Sequence, residues 1–259
     1  MIISVENAKN FIDKIKDISA NDPFACRVIS LCNSYPPSLA FVDYWLICNE
    51  KAEDCSGAIA RSGTSFVLFL TDDTDLEEVS SFMRVAGASD IICNGKYDLD
   101  IFYTDCKIGT ILYKNEASKI ENNDGEPVIP DIRDTYELIT RCSGENFTPP
   151  SFDDFYVDVN HKLRHNTMRL YGISCSDKLV SVAMTVAESD DGAVLGAVAC
   201  DPDYRQHGYG TQIVNYISDR LINENKTVYL HRAENENVSF YDKLDFKVWG
   251  KWKEYSFKG

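Results

Sequence analysis

Long apolar runs are missing from this 259-residue chain. Stretches such as Phe66–Leu70 fall far short of the roughly 20 residues a bilayer-spanning helix needs, so no membrane partner is expected. Positive charge is scarce as well. There are 26 Lys and Arg against 41 Asp and Glu, a formal net charge of −15. A field of that sign repels a polyanionic backbone, which argues against nucleic acid as a partner, while attraction of a cationic substrate is compatible with it. The charge is uneven, with −9 on residues 1–125 and −6 on the rest. No C-x-x-C pair occurs among the nine cysteines (26, 32, 48, 55, 93, 106, 142, 175 and 200), nor any spacing typical of secreted scaffolds. They are expected to be reduced, mostly buried thiols in a cytoplasm. The opening Met1-Ile2-Ile3-Ser4-Val5-Glu6 meets acid before any long apolar run, so no signal peptide is visible, and a cytoplasmic location is expected.

What is present reads as globular. The chain is 44% hydrophobic and 26% charged, close to average usage. At about 100–200 residues per domain, the length suits one large domain or two small ones. The clearest seam is residues 116–131, a polar stretch holding Gly125, Pro127 and Pro130 with no sustained apolar period. It divides the chain into residues 1–120 and 127–259.

The first part predicts helices over Val5–Ile18 and Pro23–Cys32 and strands over Ala40–Cys48, Ser56–Arg61 and Ser65–Leu70. A helix over Asp75–Ala86, capped by Thr74 or Asp75, and a strand over Ala88–Cys93 follow. The second part repeats that order, with helices over Asp131–Cys142 and Phe152–Leu163 and strands over Arg169–Ser174, Lys178–Ala187 and Ala193–Cys200. Then come a helix over Gly210–Asn223, a strand over Thr227–His231, a short helix over Asn237–Leu244 and a closing strand over Lys247–Tyr255.

The informative stretch is Val198-Ala199-Cys200-Asp201-Pro202-Asp203-Tyr204-Arg205-Gln206-His207-Gly208-Tyr209-Gly210-Thr211. A hydrophobic strand stops at a proline, and a glycine-containing loop leads straight into an amphipathic helix. Unpaired backbone N–H groups and a helix dipole then converge on one point, a ready anion site. The loop lacks the Gly-Lys-Ser/Thr ending of a Walker motif, and its two glycines fall short of a dinucleotide loop. Further on stands Asn235-Glu236-Asn237-Val238-Ser239-Phe240-Tyr241-Asp242-Lys243-Leu244-Asp245-Phe246.

Together these segments resemble the GCN5-related N-acetyltransferase (GNAT) family over about residues 131–259. Its cofactor motif is Arg/Gln-x-x-Gly-x-Gly/Ala at the head of a helix, and its later signature is close to Asn…Phe/Leu-Tyr-x-Lys-Leu-Gly-Phe. The resemblance implies acetyl-coenzyme A (acetyl-CoA) as co-substrate. Its pyrophosphate would lie on Arg205, Gln206, His207, Gly208, Tyr209 and Gly210, with Thr211 adjacent, and its pantetheine arm along Val198, Ala199 and Cys200 as that strand splays from its neighbour. The motif asparagine is Asn235 or Asn237. Asp245 replaces the family glycine at a helix end, where positive φ is common and Asp tolerates it better than most residues.

Direct transfer in a ternary complex is the family precedent. A neutral amine attacks the thioester, backbone donors hold the oxyanion, and an acid protonates the leaving thiolate. Tyr241 matches that acid; its other reading is a packing aromatic. The strand Ala193–Cys200 carries no carboxylate, so the base falls to His231 or Glu188, or to a water chain. Tyr156, Asp158 and His161, on or near the helix that borders the acceptor pocket in this family, are candidates for holding the acceptor, Asp158 through an ammonium group; an exposed polar face is the alternative. Asp158, His161 and His165 share a helical face; the two histidines stand at i and i+4, a spacing a metal pair can use, but no third ligand is evident beside them and no metal is expected. Cys200 reads as a small buried residue.

In the first part, Thr71-Asp72-Asp73-Thr74-Asp75-Leu76-Glu77-Glu78 stands where the loop would be, and its acids would repel a pyrophosphate. The expectation is an α/β protein of two domains, tandem GNAT-like mixed sheets flanked by helices, with the cofactor motif only in the second and a degenerate first domain. The implied activity is acetyl transfer from acetyl-CoA to an amine of a small molecule or peptide. A non-catalytic acyl-CoA-binding regulatory protein is the alternative.

Overall fold

The computed structural model describes residues 1–19, 21–118, 126–144 and 148–257. It contains two compact units, Met1–Ile111 with Val248–Gly259, and Leu112–Lys247. The first elements along the chain are β1 (Ile2–Ser4), α1 (Ala8–Ile18), α2 (Pro23–Ser34), β2 (Val42–Cys48), β3 (Cys55–Ser62), β4 (Ser65–Leu70), α3 (Leu76–Met83), β5 (Asp90–Asn94) and β6 (Asp105–Lys114). There follow α4 (Ile132–Arg141), α5 (Phe152–Arg164), β7 (Leu170–Cys175), β8 (Lys178–Glu188) and β9 (Gly192–Cys200). A short 3₁₀ turn leads to α6 (Tyr209–Asn223), β10 (Thr227–Ala233), α7 (Val238–Asp242) and β11 (Lys247–Ser256).

In the first unit, Asn7 caps α1 through Asn10 N–H, which starts that helix three residues later than its apolar period suggests and frees Ile2–Ser4 to pair with β2. Asp22 caps α2 by accepting from Phe24 and Ala25 N–H; burial lifts its pKa to about 6. Strands β2, β3 and β4 form an antiparallel meander, with Gly63 at φ +61° in the β3–β4 turn. β5 then runs parallel to β4, and β11 pairs antiparallel with β5 from Asn94–Trp252 to Asp90–Ser256. Ile47, Ile59, Leu68, Val79, Ile91 and Tyr255 share one core beneath α3.

One cysteine expectation needs correction. Cys48 and Cys55 face each other across the β2–β3 pairing and are joined in a disulfide. The contact arises from strand register, which cysteine spacing alone does not reveal. Cys26, Cys32 and Cys93 are buried and form no disulfide, as expected.

The second unit is a three-layer α/β sandwich. Asp131 caps α4 and Ser151 caps α5. β7 and β8 form a hairpin about Ser176 and Asp177, both at positive φ as a tight primed turn requires. β9 lies antiparallel to β8 and parallel to β10. The two faces of β8 serve different layers: Val180 and Ala183 pack with α6, whereas Val182 and Met184 pack with α4 and α5. The register shift against β7, which skips Val180, breaks the strict alternation and brings Val180 and Ala183 to one face. Ile213, Val214, Ile217 and Leu221 form the buried stripe of α6. Of the seam at 116–131, residues 119–125 lie outside the described residues; beyond them Val128 bridges to Gly172 beside β7. Among the described residues no helix is long and apolar enough to cross a membrane.

Candidate active site

The site is built where two parallel strands part. β9 and β10 pair from Gly192–Thr227 to Leu195–Leu230, and both strands continue past the last pair, to Cys200 and Ala233. The parting coincides with an irregularity in β9. Its register against β8 shifts between Val182 and Met184, and Ala197 sits at φ +46°. An extra residue on one strand bends it and increases its twist. Gly196 permits the bend: a Cβ there would stand 2.4 Å from Val186 Cγ1. Beyond it Val198 and Cys200 are half-buried and Ala199 is buried.

Asp201 anchors the end of β9. Its buried carboxylate accepts from Asp203 N–H and pairs with Lys178 at 3.0 Å and Arg141 at 3.3 Å. The bond from Lys178 holds that carboxyl below the usual range. Next comes a turn at Pro202–Tyr204, after which Arg205 folds back so that Nε donates to Cys200 O at 3.3 Å. His207 Nδ1 donates to Arg205 O at 2.8 Å. Gln206 and Gly208 take left-handed backbone, φ +64° and +89°, and α6 opens after Gly208 with no side-chain cap. Alternating handedness ahead of an uncapped helix makes a concave set of N–H donors, suited to an anion. A Cβ at Gly208 would meet nothing within 4 Å, so glycine is required there by its φ rather than by space.

Cys200 and Cys142 lie together at the strand end, Cys142 Sγ donating to Cys200 O at 3.3 Å, and burial pushes both thiols' pKa values up. They are thiols at neutral pH, in keeping with a packing role for Cys200. Asn235 and Asn237 both adopt positive φ ahead of α7, and Asn237 is that helix's N-cap residue. Tyr241, on α7, is buried between Phe240 and Phe246 with ring centroids 5.0 and 5.7 Å away. Burial pushes its pKa to about 12, opposed by Arg232. Asp245 takes φ +61°, the turn expected of the residue in the family glycine's place.

His231 immediately follows the last β10 residue paired with β9 and is half-buried. Glu188 lies at the other end of the sheet. It is opposite Ala193 and is held by Arg169 at 2.8 Å and Lys226 at 3.0 Å. At about 3.3 Å per residue, roughly 23 Å of strand separates Ala193 from Cys200. Its ion pairs make Glu188 a brace. On α5, Asp158 pairs with Lys162 at 2.9 Å, His161 stacks on His165 at 4.3 Å, and Tyr156 is exposed beside Phe152. Among the described residues no three His, Cys, Asp or Glu side chains are grouped to hold a metal.

The first unit repeats the strand geometry without the donors. β4 pairs with β5 only from Ser65–Asp90 to Val67–Ile92, and α3 follows β4 as α6 follows β9. Yet Asp75 accepts from Glu77 and Glu78 N–H, closing the head of α3. Thr74 Oγ1 accepts from Thr71 N–H and donates to Ser56 O. Glu78 in turn holds the amino terminus.

Three features of the site were not read from the sequence: the ion pairs of Asp201, the bend at Gly196-Ala197, and Arg232 beside Tyr241. Aspartate before proline at a strand end, and a lone glycine within a strand, are usable signals for the first two. Arg232 carries none, because its proximity to Tyr241 is tertiary.

Residues 132–246 match the model of the acetyltransferase (GNAT) family. No curated protein sequence matches the chain. Among solved structures, the chain is similar to a tandem GNAT protein from the clavulanic acid biosynthesis pathway, at 12% identity and TM-score 0.59, covering 98% of this chain and 97% of that one. A GCN5-related N-acetyltransferase from Sphaerobacter thermophilus is similar at 11% identity and TM-score 0.57, covering 100% of this chain and 96% of that one. An acetyltransferase from the GNAT family of Colwellia psychrerythraea is similar at 10% identity and TM-score 0.54, with both chains fully covered. At such identities the likeness is one of fold, and it extends over both halves.

Proposed function

Starting from a chain whose residues 132–246 are a GNAT-family domain, we propose an acetyl-CoA-dependent N-acetyltransferase that acts on an amine of a small molecule or peptide by direct transfer in a ternary complex. The observation that carries this reading is the uncapped head of α6 beside the parted strands β9 and β10. The donor set fits the co-substrate. N–H groups from Gln206 to Thr211 would take the pyrophosphate, with Asn235 or Asn237 bordering the site. The backbone of Val198–Cys200, released from β10, would take the amides of the pantetheine arm. Acetyl-CoA supplies the activated acyl group as a thioester.

This chain's own residues then have three tasks. The parted strands exclude water from the arm and direct the acyl carbon between them. Tyr241, a phenol until well above neutral pH, can give its proton to the departing thiolate sulfur. His231, past the last paired residue of β10, would take a proton from the attacking amine. Tyr156, Asp158 and His161 would border the acceptor, with Asp158 exchanging Lys162 for the substrate ammonium.

Burial of Tyr241 among Phe240 and Phe246 favours the second reading, an acyl-CoA-binding protein without turnover. One experiment separates them: thermal shift with acetyl-CoA beside a free-thiol release screen across amine acceptors. The enzyme shows both, and Tyr241→Phe lowers thiol release at saturating acetyl-CoA by about 10²-fold while keeping the shift. A shift without thiol release from any acceptor gives the second reading, and no shift at all defeats both.

A further inference from the structure

Lys114 ends β6 and is 3% exposed, an ammonium taken almost wholly out of water. Its Nζ donates to Ser118 Oγ at 2.8 Å and to Asn215 Oδ1 at 3.4 Å, and it lies 5.8 Å from the centre of the Phe246 ring. All three partners are neutral. Asp219, the nearest acid in sequence to Asn215, is turned to Ser118 N–H at 2.7 Å, and no carboxylate among the described residues forms an ion pair with Lys114. Two of the three ammonium donors are therefore used, and no carboxylate among the described residues serves as a direct counter-ion.

Such a group is costly unless compensated. Burial depresses its pKa, with Asp219 and Asp245 opposing only at longer range. A cavity of about 320 Å³ opens beside it, its lining including Lys114, Glu116, Asn215, Lys243, Asp245 and Lys247. Lys243 is exposed and makes no ion pair among the described residues, and Lys247 is 3.9 Å from Glu116. Asn215, 2% exposed, presents its oxygen to Lys114, which leaves its NH₂ as another donor in the same lining. The lining sets three lysines and a carboxamide against two carboxylates, Glu116 and Asp245, a net positive balance in a chain of net charge −15.

We propose that this cavity binds a small oxyanion of phosphoryl type, which completes the hydrogen bonding of Lys114 and places a counter-charge against it. Lysine ammonium groups without an arginine fork act as point charges, a donor set suited to tetrahedral phosphoryl oxygens. The cavity is distinct from the α6 head: it involves the interior of α6 and the far end of α7, and none of Arg205–Thr211 lines it. The proposal is independent of acyl transfer.

Inorganic phosphate is the probe, titrated against thermal unfolding at ionic strength matched with sodium chloride. Wild type should show a rise in Tm that grows with the logarithm of phosphate concentration above Kd, about 5 °C or more at a hundred times Kd. Lys114→Met should abolish that rise while keeping the shift with acetyl-CoA. Arg205→Ala should keep the phosphate rise. Lys243→Gln with Lys247→Gln, two exposed changes that leave the core intact, should weaken phosphate several-fold and decides the matter should Lys114→Met not fold. Absence of such a rise in wild type overturns the proposal. So does a rise undiminished in Lys114→Met or in the double variant, or one lost in Arg205→Ala alone.

Discussion

Replacing Gly196 with alanine tests whether the bend in β9 is held open by the lack of a side chain. The added Cβ would stand 2.4 Å from Val186 Cγ1, 3.3 Å from Cγ2 and 3.4 Å from Cβ. Carbon atoms pack best at about 3.5–4.0 Å, so the first contact demands a movement of roughly 1 Å in a sheet whose neighbours are already close-packed. Overpacking of this kind costs about 1–3 kcal/mol. For a chain of this size each kcal/mol lowers Tm by about 2–4 °C, so a fall of about 2–12 °C is expected. Acetyl-CoA should also bind more weakly, since the bend directs Val198–Cys200 away from β10. Val186→Ala removes both offending methyls and leaves only the contact at 3.4 Å. The double variant should therefore recover stability relative to the sum of the single changes, with a coupling of about 1 kcal/mol or more. Thermal melts and acetyl-CoA titrations of the four proteins provide the readout. A Gly196→Ala protein as stable as wild type, or a double variant in which the two losses simply add, would falsify the steric argument.

Other expectations follow from charge and capping. Asp201→Asn should cost about 1–3 kcal/mol at neutral pH, because a buried acceptor loses its charge against Lys178 and Arg141. The depressed carboxyl pKa means that its stabilisation is full above the unfolded value near 3.9 and lost as pH falls through the folded one. Unfolding free energy between pH 2 and about 5 should accordingly be flatter in the variant than in wild type. Asp75→Ala should cost about 1 kcal/mol in the first unit by releasing Glu77 and Glu78 N–H, checked by urea denaturation. At the alkaline end, burial raises Tyr241 and Tyr255 to about 12, so the fold retains protons that the unfolded chain releases near pH 10. Stability should decline as pH rises from 10 to 12, and phenolate absorbance should show these groups ionising with unfolding.

The parts legible from sequence are those written locally. Helix starts at Asp131, Ser151 and Asp75 show in the capping residue itself, and the hairpin at Ser176-Asp177 in its turn chemistry. The uncapped head of α6 is equally local, since Arg205–Thr211 contains both the glycine that needs positive φ and the start of the helix. What escaped depends on residues far apart in the chain. Strand β1 is hidden because three residues carry no period. Strand β6 escaped because Lys107, Gly109 and Thr110 interrupt its apolar pattern. The Cys48–Cys55 pairing follows from register, and Lys114 reads as an ordinary lysine until Asn215, 101 residues later, is brought beside it.

The two units make the same point within one molecule. Each ends an antiparallel run of strands with a parallel neighbour and places a helix after the parting strand. Topology therefore puts a helix N-terminus at corresponding places in both. In the first, Asp75 consumes the leading N–H groups and adds negative charge, with Glu77 and Glu78 behind it. In the second, Gly208 contributes no side chain, and the donors of the first turn have no cap. A carboxylate cap is a stabilising device and an anion's competitor at once, because both need the same N–H groups and the same end of the dipole. A helix head can thus be well capped or available to a phosphate, and the choice is made by one residue. The acidic run from Asp72 to Glu78, with Asp75 taking the N–H groups of Glu77 and Glu78, therefore weighs against an anion at the head of α3, whereas a similar strand arrangement leaves the head of α6 uncapped.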